Sequence, residues 1–359
     1  METLKDLKQK SLIAIAESLG IPFKRISSDI YEHPEHDSFK VFMRTNTFKW
    51  FSRDQGGDAI DFVQTLTGVG FKEAVSYLKT GNFQLHKEEL VKKEPFRYYV
   101  TEDGQEDFHL ARRYLKEERG ISDSTINFFG RQGIMAQALY RHEPVLVFKA
   151  FNHRHVLVGA SLQGLKRHID EKRPYLKRTM KHSEGHVGVS VDIGKPNRLV
   201  FTESVIDAMS YFELHQSSLK NTRLVAMDGL KRSCIAYQIL RLIAGEKKNL
   251  PFLDSLNPSK LLTYLTTLIE TTTYFKESPD VITLAVDHDK AGLDFIGKCS
   301  DLSLPFQLDL PHLLEEKGKS DWNDILKSQK NPSLESLINQ ARIQIGTKEK
   351  TTGPFTLEV

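Results

Sequence analysis

The sequence has few cysteines and no long hydrophobic run. Its two cysteines, Cys234 and Cys299, lie far apart and outside any Cys-x-x-Cys pair, so they predict neither a disulfide framework nor a zinc site. The longest apolar runs, such as 281–286, are much shorter than the roughly 20 residues that cross a bilayer. The charged residues 1–6 do not resemble a signal peptide. These absences predict a cytoplasmic protein without a membrane partner.

Neither sign of charge dominates, since 50 Lys and Arg stand against 47 Asp and Glu in 359 residues. With 39% hydrophobic residues the chain is expected to fold, and its length indicates two or three domains. The basic excess is regional: residues 149–198 hold eleven Lys and Arg against four Asp and Glu. A local excess of this kind indicates that the region binds a polyanion such as nucleic acid; the alternative is that it is an ordinary solvated surface. No GxxxxGK[ST] loop occurs, which excludes a fused helicase motor.

Hydrophobic periodicity predicts α+β N-terminal and middle regions followed by an α/β domain with a parallel, helix-covered sheet. In the first region, a helix over 4–20 precedes a hairpin of strands 37–42 and 47–51. The expected boundaries are a first domain at 1–85, a linker at 86–100, a middle domain at 101–196, the α/β domain at 197–330 with an insertion at about 231–280, and a C-terminal helix and flexible tail at 331–359. An extra helix is expected within the insertion at 261–271.

Acidic residues follow two strands of the predicted parallel sheet. Glu203 comes after the strand at 198–202, and Asp287 and Asp289 come after the strand at 281–286. Ligands gather at the carboxyl ends of strands in such sheets. Asp-x-Asp offers oxygen ligands to Mg²⁺ or Mn²⁺, and Glu203 could act as general base or acid. For any single acid, capping of the next helix is the alternative.

Three segments, at 202–210, 226–229 and 286–292, resemble in order and strand context the successive motifs of a Toprim domain, a fold shared by primases, topoisomerases and some nucleases. The resemblance implies that Glu203, Asp287 and Asp289 form a catalytic metal site. The segment 319–324 resembles the Lys-Asp-x-Asn-Asp segment of several Toprim proteins, which implies its acids, Asp321 and Asp324, as further metal ligands. A surface loop that caps the following helix is the alternative.

Residues 31–78 resemble the zinc-ribbon domain at the start of bacterial DnaG-type primases. The metal-binding Cys-x-x-Cys of that family falls on Trp50 and Arg53 here, and only His33 and His36 remain as a ligand pair. A structural zinc site needs about four Cys or His ligands. We therefore expect no zinc in this domain, with aromatic packing in its place.

Strand alternation predicts that Phe48 and Trp50 lie in the core of this domain and that Lys49 and Phe51 face outward. Aromatic rings beside positive charge are typical of single-stranded DNA binding. Lys49 and Arg53 are accordingly candidate contacts to DNA.

The middle region resembles the primase polymerase core at 111–121, 145–148, 158–162 and 173–179. The resemblance is closer to the primase-like, Toprim-linked proteins of bacterial plasmids and conjugative elements than to the chromosomal primase. Basic residues that could hold template or triphosphate phosphates are Arg173, Lys177, Arg178, Lys181 and Lys290.

Taken together, the resemblances imply a DNA primase of a mobile element, which synthesises short RNA primers with Mg²⁺ or Mn²⁺. The implied partners are a single-stranded DNA template, ribonucleoside triphosphates, and a replicative helicase or a relaxase. Two alternatives stay open: a Toprim nuclease with the same acids, and a non-catalytic DNA-binding accessory protein. A topoisomerase is disfavoured because the chain has no room for a strand-passage gate.

Overall fold

The chain divides into two units, Met1–Glu94 and Pro95–Val359. The computed structural model describes residues 2–27, 29–53, 55–81, 83, 94–102, 108–168, 174–313 and 318–330. Most of the predicted linker and the whole predicted C-terminal helix and tail lie outside these residues. No helix in the described ranges combines the length and apolar character of a membrane span.

The first unit is a five-stranded antiparallel sheet with four helices. Its strands are hydrogen-bonded in chain order, each to the next. The elements are α1 (Leu4–Lys8), α2 (Leu12–Ser18), β1 (Lys24–Arg25), β2 (Ile30–His33), β3 (His36–Phe42), β4 (Thr47–Trp50), β5 (Gln55–Gly57), α3 (Ala59–Thr67) and α4 (Phe71–Thr80). The predicted hairpin is therefore confirmed as β3 and β4.

The single helix expected over 4–20 is two helices, so that expectation is wrong. Ser11 caps α2, since its side chain accepts a hydrogen bond from the Ala14 N–H. The buried Asn46 side chain accepts from the Leu12 N–H at 3.2 Å and donates to the Lys10 carbonyl at 2.9 Å. A side chain distant in sequence thus satisfies the backbone groups that the break between the helices exposes.

Replacing Asn46 with alanine is expected to destabilise the protein by about 2–4 kcal/mol, because two buried backbone groups lose their partners. Asn46 also has a φ of 47°, which alanine tolerates poorly. Asn46→Gly relieves the backbone strain but does not restore the hydrogen bonds. Its free energy of unfolding is therefore expected to lie between those of the wild type and Asn46→Ala. Urea unfolding of the three proteins measures this, and equal midpoints would show that the bonds do not stabilise the fold.

Aromatic rings form the core of the first unit. Phe39 and Trp50 are stacked with ring centroids 4.4 Å apart and an interplanar angle of 4°. Phe48 and Trp50 are buried, whereas Phe51 is 57% exposed. The predicted burial of Phe48 and Trp50 is confirmed, because alternation along β4 directs both to one face of the sheet.

The second unit contains an antiparallel and a mostly parallel sheet. Its elements are β6 (Thr101–Glu102), α5 (His109–Arg113), α6 (Asp123–Arg131), β7 (Met135–Tyr140), β8 (Glu143–Phe151), β9 (Leu157–Gly164), β10 (Lys177–Thr179), β11 (Val189–Ile193), β12 (Arg198–Thr202), α7 (Val205–His215), β13 (Thr222–Ala226), α8 (Arg232–Glu246), α9 (Leu261–Thr271), α10 (Tyr274–Glu277), β14 (Ile282–Leu284), α11 (Lys290–Ser300), β15 (Gln307–Leu308) and α12 (Trp322–Lys330). The architecture is mixed α+β, as predicted, and α9 has the bounds expected for the extra helix.

The antiparallel sheet has the order β10-β9-β8-β7-β6, and the second sheet has the order β11-β13-β12-β14-β15. In the second sheet β12 is parallel to both β13 and β14, β14 is parallel to β15, and β11 is antiparallel to β13. Each face of this sheet has its own core: residues of α7 and α12 lie on one side, and those of α8, α9 and α11 on the other. The parallel strands of this sheet are β12, β13, β14 and β15, and their carboxyl ends meet at one edge between two helical layers.

Candidate active site

Two carboxylates come from the connection between β12 and α7. Glu203 follows the last residue of β12, and Ser204 is the N-cap of α7. The Ser204 hydroxyl accepts from the Asp207 N–H and donates to the Asp207 carboxylate at 2.5 Å. Asp207 lies one helical turn after Glu203 and is buried, which brings both side chains to the same end of the sheet.

Two more carboxylates follow β14. Asp289 is the N-cap of α11, where its side chain accepts from the Gly292 N–H at 2.8 Å. Asp287 lies between the strand and this cap. A Cβ on Gly292 would lie 2.0 Å from the Asp287 carbonyl oxygen, so the loop closes against α11 only because residue 292 has no side chain.

A fifth carboxylate reaches the site through a pair of backbone hydrogen bonds. The His288 N–H donates to the Ser320 carbonyl at 2.8 Å, and the Ser320 N–H donates back at 3.3 Å. Asp321 follows, and its side chain accepts from the Asp324 N–H at 2.6 Å at the start of α12. Trp322 fixes this helix, because its indole N–H donates to the Ala285 carbonyl at 3.0 Å.

These carboxylates perturb one another. Burial, followed by Asp207 and Glu203, raises the pKa of Asp287 to about 9. Burial and the nearby Asp321 raise the pKa of Asp207 to about 7, and burial and Asp289 raise that of Glu203. The buried Oδ1 atom of Asp287 has no hydrogen-bond partner. The site is therefore an accumulation of negative charge that nothing on the described chain neutralises fully.

Within the described ranges, no group of three or more His, Cys, Asp or Glu side chains stands ready to hold a metal ion. The donors nevertheless suit a hard divalent cation, since they are carboxylate oxygens and one buried oxygen lacks any partner. A cation would also remove the repulsion that raises the three pKa values.

Positive charge enters the site from β10. Lys177 is close enough to lower the pKa of both Glu203 and Asp207, against the effect of burial. Two residues on, the Thr179 hydroxyl donates to the Asp228 carboxylate at 2.9 Å. The neighbouring Gly229 N–H donates to the Glu203 carbonyl at 3.1 Å, so β10 is joined to the loop that carries the acids.

The other predicted site residues of this unit differ in their placement. Lys290 is exposed at the start of α11, and Lys181 is exposed just after β10. Asp324 lies in the first turn of α12, but it is not among the groups that shift the pKa of Asp287. Arg178 points to the face of its sheet opposite to that of Lys177, and Arg173 lies outside the described residues.

In the first unit, Arg53 and Lys49 occupy different environments. The Arg53 guanidinium lies over the Trp50 ring, 3.8 Å from its centroid. Lys49 is half-buried on β4 and pairs in register with Lys40 of β3.

Sequence reasoning did not single out Asp207, and it offered Asp321 only together with Asp324. Asp207 could have been found from its spacing, because a residue four positions after Glu203 on a helix lies on the same face. Asp321 could not be preferred over Asp324 on sequence alone, because the choice depends on the pairing of residues 288 and 320.

Comparison with known proteins gives a matching family model for the first unit and a relative for most of the chain. Residues 4–94 match the family model of the DnaG zinc ribbon, described as the CHC2 zinc finger. The uncharacterized protein pXO2-78 of Bacillus anthracis is 30% identical over 318 residues, which cover 86% of this chain and 83% of that protein.

Two solved primase structures are among those that match this chain. The primase fragment of the bacteriophage T7 primase-helicase protein is 14% identical with a TM-score of 0.37, over 85% of this chain and 93% of that one. The Aquifex aeolicus primase, with its zinc-binding and RNA polymerase domains, is 15% identical with a TM-score of 0.31, over 95% of this chain and 86% of that one.

The expectation of no zinc in the first unit is contradicted by the match to the CHC2 zinc finger, which points to a zinc-binding ribbon. That expectation rested on the absence of cysteine from the first unit, where His33 and His36 are the ligand pair that remains. The rings of His33 and His36 are stacked 5.0 Å apart in the ribbon. The described residues supply no further ligand to complete this pair, so they do not fit a tetrahedral zinc site.

The relative covers most of both chains, and the ribbon match extends over the first unit. The ribbon match agrees with the primase resemblance seen in the sequence. The chain is a DnaG-type primase-like protein and belongs to the family of the Bacillus anthracis protein pXO2-78.

Proposed function

We propose that this protein is a primase that joins ribonucleotides on a single-stranded DNA template by divalent-metal-dependent nucleotidyl transfer. The observation that carries the proposal is the group of five carboxylates at the end of the parallel sheet, with an unpartnered oxygen on Asp287. A stable fold gains nothing from buried carboxylates that repel one another, so a ligand that neutralises them accounts for their presence. The primase-like family supports the choice of reaction.

In this reaction the 3′-hydroxyl of the growing primer attacks the α-phosphorus of the incoming triphosphate, and pyrophosphate leaves. Glu203, Asp287 and Asp289 would hold the metal, which supplies charge stabilisation for the phosphate oxygens. Glu203 would act as general base for the proton of the attacking hydroxyl, or as an organiser of the metal. Asp207 and Asp321 position these groups through Ser204 and the 288–320 pairing.

Basic residues beside the acids would receive the phosphates. Lys177 already acts on Glu203, and Lys290 and Lys181 are exposed nearby in sequence. A role in the replication or transfer of a plasmid or mobile element stays a prediction. Docking of a replicative helicase or relaxase stays a prediction.

Primer synthesis on single-stranded DNA with ribonucleotides and Mg²⁺ or Mn²⁺ tests the proposal. The wild type is expected to make short RNA, whereas Glu203→Gln and Asp287→Asn are expected to lose at least about a hundredfold in rate, because each removes a charge from the site of phosphoryl transfer. Asp294→Asn is the matched control, since Asp294 is exposed on α11 and outside the acid group.

Absence of RNA product from the wild type with either metal would contradict the primase proposal. The same reactions, run with labelled template, report cleavage. Template cutting that depends on Asp287 would assign the site to a nuclease instead.

A further inference from the structure

The antiparallel sheet of the second unit has one face that the candidate active site does not use. Strand register places Arg178 in line with Leu162, Val147 and Ala136, while Lys177 lies in the next row and points to the opposite face. The face of Lys177 continues into the core shared with α7 and the second sheet. The face of Arg178 carries a separate small core, which the segment 96–100 covers in part.

Two tyrosines and two arginines meet at the margin of this second face. The guanidinium groups of Arg141 and Arg178 lie 5.4 and 5.8 Å from the centroid of the Tyr140 ring. The Tyr99 ring lies 6.3 Å from the Tyr140 ring at an angle of 49°, and Tyr99 is 47% exposed. We call these four residues the tyrosine patch.

The charges of the tyrosine patch are not neutralised by the described protein. No carboxylate within the described ranges forms an ion pair with Arg141 or Arg178, and both side chains are exposed. A neighbouring cation on the same face behaves differently: Lys149 pairs with Glu102 at 2.5 Å, and Glu102 also accepts from the Tyr98 hydroxyl. This face therefore carries two clusters. The charges of Lys149 and Glu102 are paired within the protein, whereas those of the tyrosine patch remain available to a ligand.

Folding alone does not account for the patch. Tyr140 packs partly against the small core, but Tyr99 does not, and an exposed aromatic ring contributes little to stability. Exposed rings next to unpaired guanidinium groups are the combination that binds single-stranded nucleic acid: bases stack on the rings, and the cations contact the phosphates.

The patch is also connected to the acids. Lys177 and Thr179 point toward the acid-bearing loops, and Arg178, between them, points to the patch. Because β10 is the edge strand of its sheet, a nucleic-acid chain can pass around this edge from one face to the other. The three residues of β10 therefore contribute to both the carboxylate site and the tyrosine patch.

We propose that the tyrosine patch holds the single-stranded DNA template by base stacking, outside the carboxylate site. The inference rests on the proposed primase function for the identity of the strand. The tyrosine patch is a binding surface that increases affinity for the template and directs its path. Its residues take no part in the chemical step.

Fluorescence anisotropy with a labelled single-stranded oligodeoxynucleotide measures the effect without any synthesis. Tyr99→Ala and Tyr140→Ala are each expected to weaken binding about fivefold or more, as loss of a stacked base does. Tyr140→Phe keeps the ring and is expected to bind within about twofold of the wild type. Phe252→Ala is the matched control, because Phe252 is an aromatic residue of the same unit, 45% exposed and remote in sequence.

Arg178→Ala is expected to reduce the slope of log affinity against log salt concentration by the amount that corresponds to about one phosphate contact. Circular dichroism of each variant shows whether it is folded, and Tyr99→Ala, at an exposed position, keeps the test valid if Tyr140→Ala unfolds. Wild-type affinity in both tyrosine variants, or an unchanged salt slope, would overturn the patch. Preference for an RNA oligonucleotide or a DNA duplex over single-stranded DNA would overturn it too.

The two proposals fail separately. Binding that depends on the patch, without any primer synthesis, would remove the primase function and leave the binding surface. Primer synthesis by patch variants whose affinity for DNA is unchanged would remove the binding surface and leave the primase function.

Discussion

Gly292→Ala is expected to abolish most primer synthesis and to destabilise the protein by about 3 kcal/mol, because a Cβ at this position would lie 2.0 Å from the Asp287 carbonyl oxygen. Carbon and oxygen cannot approach so closely, so the loop that carries Asp287 must move away from α11. A shift of about 1 Å in a catalytic group costs on the order of a hundredfold in rate. Thermal unfolding and the primer assay measure the two effects.

Gly297→Ala is the control for this prediction. Gly297 lies on the same helix, and a Cβ there would meet nothing within 4 Å. Alanine is the better helix former, so this variant is expected to gain about 0.5–1 kcal/mol and to keep its activity. Similar behaviour of the two variants would show that the contact between Gly292 and the Asp287 carbonyl does not position the acid.

Asp287→Asn is expected to inactivate the protein while making it more stable in the absence of metal. The Asp287 carboxylate is buried among other acids, which raises its pKa to about 9. Asparagine has a similar shape without the charge. At pH 8 in EDTA the variant is expected to exceed the wild type in stability by roughly 2 kcal/mol or more, seen as a higher Tm.

The pH dependence follows from the direction of the shift. A carboxyl group whose pKa is higher in the folded than in the unfolded protein favours folding when it is protonated, and this contribution is lost as the pH rises from about 4 toward 9. The stability advantage of Asp287→Asn is therefore expected to shrink at pH 5.

Two further Tm measurements complete this test, one with added metal and one on the control variant Asp294→Asn. Adding Mg²⁺ or Mn²⁺ at pH 8 is expected to raise the Tm of the wild type more than that of Asp287→Asn, because the cation binds the charge that the variant lacks. Asp294→Asn, on the exposed side of α11, is expected to match the wild type throughout. A lower Tm for Asp287→Asn than for the wild type at pH 8 in EDTA would contradict the assigned repulsion.

Local patterns predicted the elements that depend on periodicity. The alternation over 37–51 was sufficient for the β3–β4 hairpin and for the burial of Phe48 and Trp50, and helical spacing located α9. The break between α1 and α2 escaped prediction, because the groups that stabilise it come from Asn46, more than 30 residues away. Periodicity describes a segment and its own faces, and it contains no information about such distant partners.

The sequence by itself determined which acids follow the strands, because the order of strand, acid and helix is local: Glu203, Asp287 and Asp289 could be named without any tertiary contact. Only the tertiary structure decided that Asp207 and Asp321 join them, and that Arg178 lies beside Tyr140. The pairing of residues 288 and 320 and the register of β10 bring these side chains together. The physical reason is that charge repulsion and ring stacking act through space, between residues that distant backbone hydrogen bonds have placed side by side.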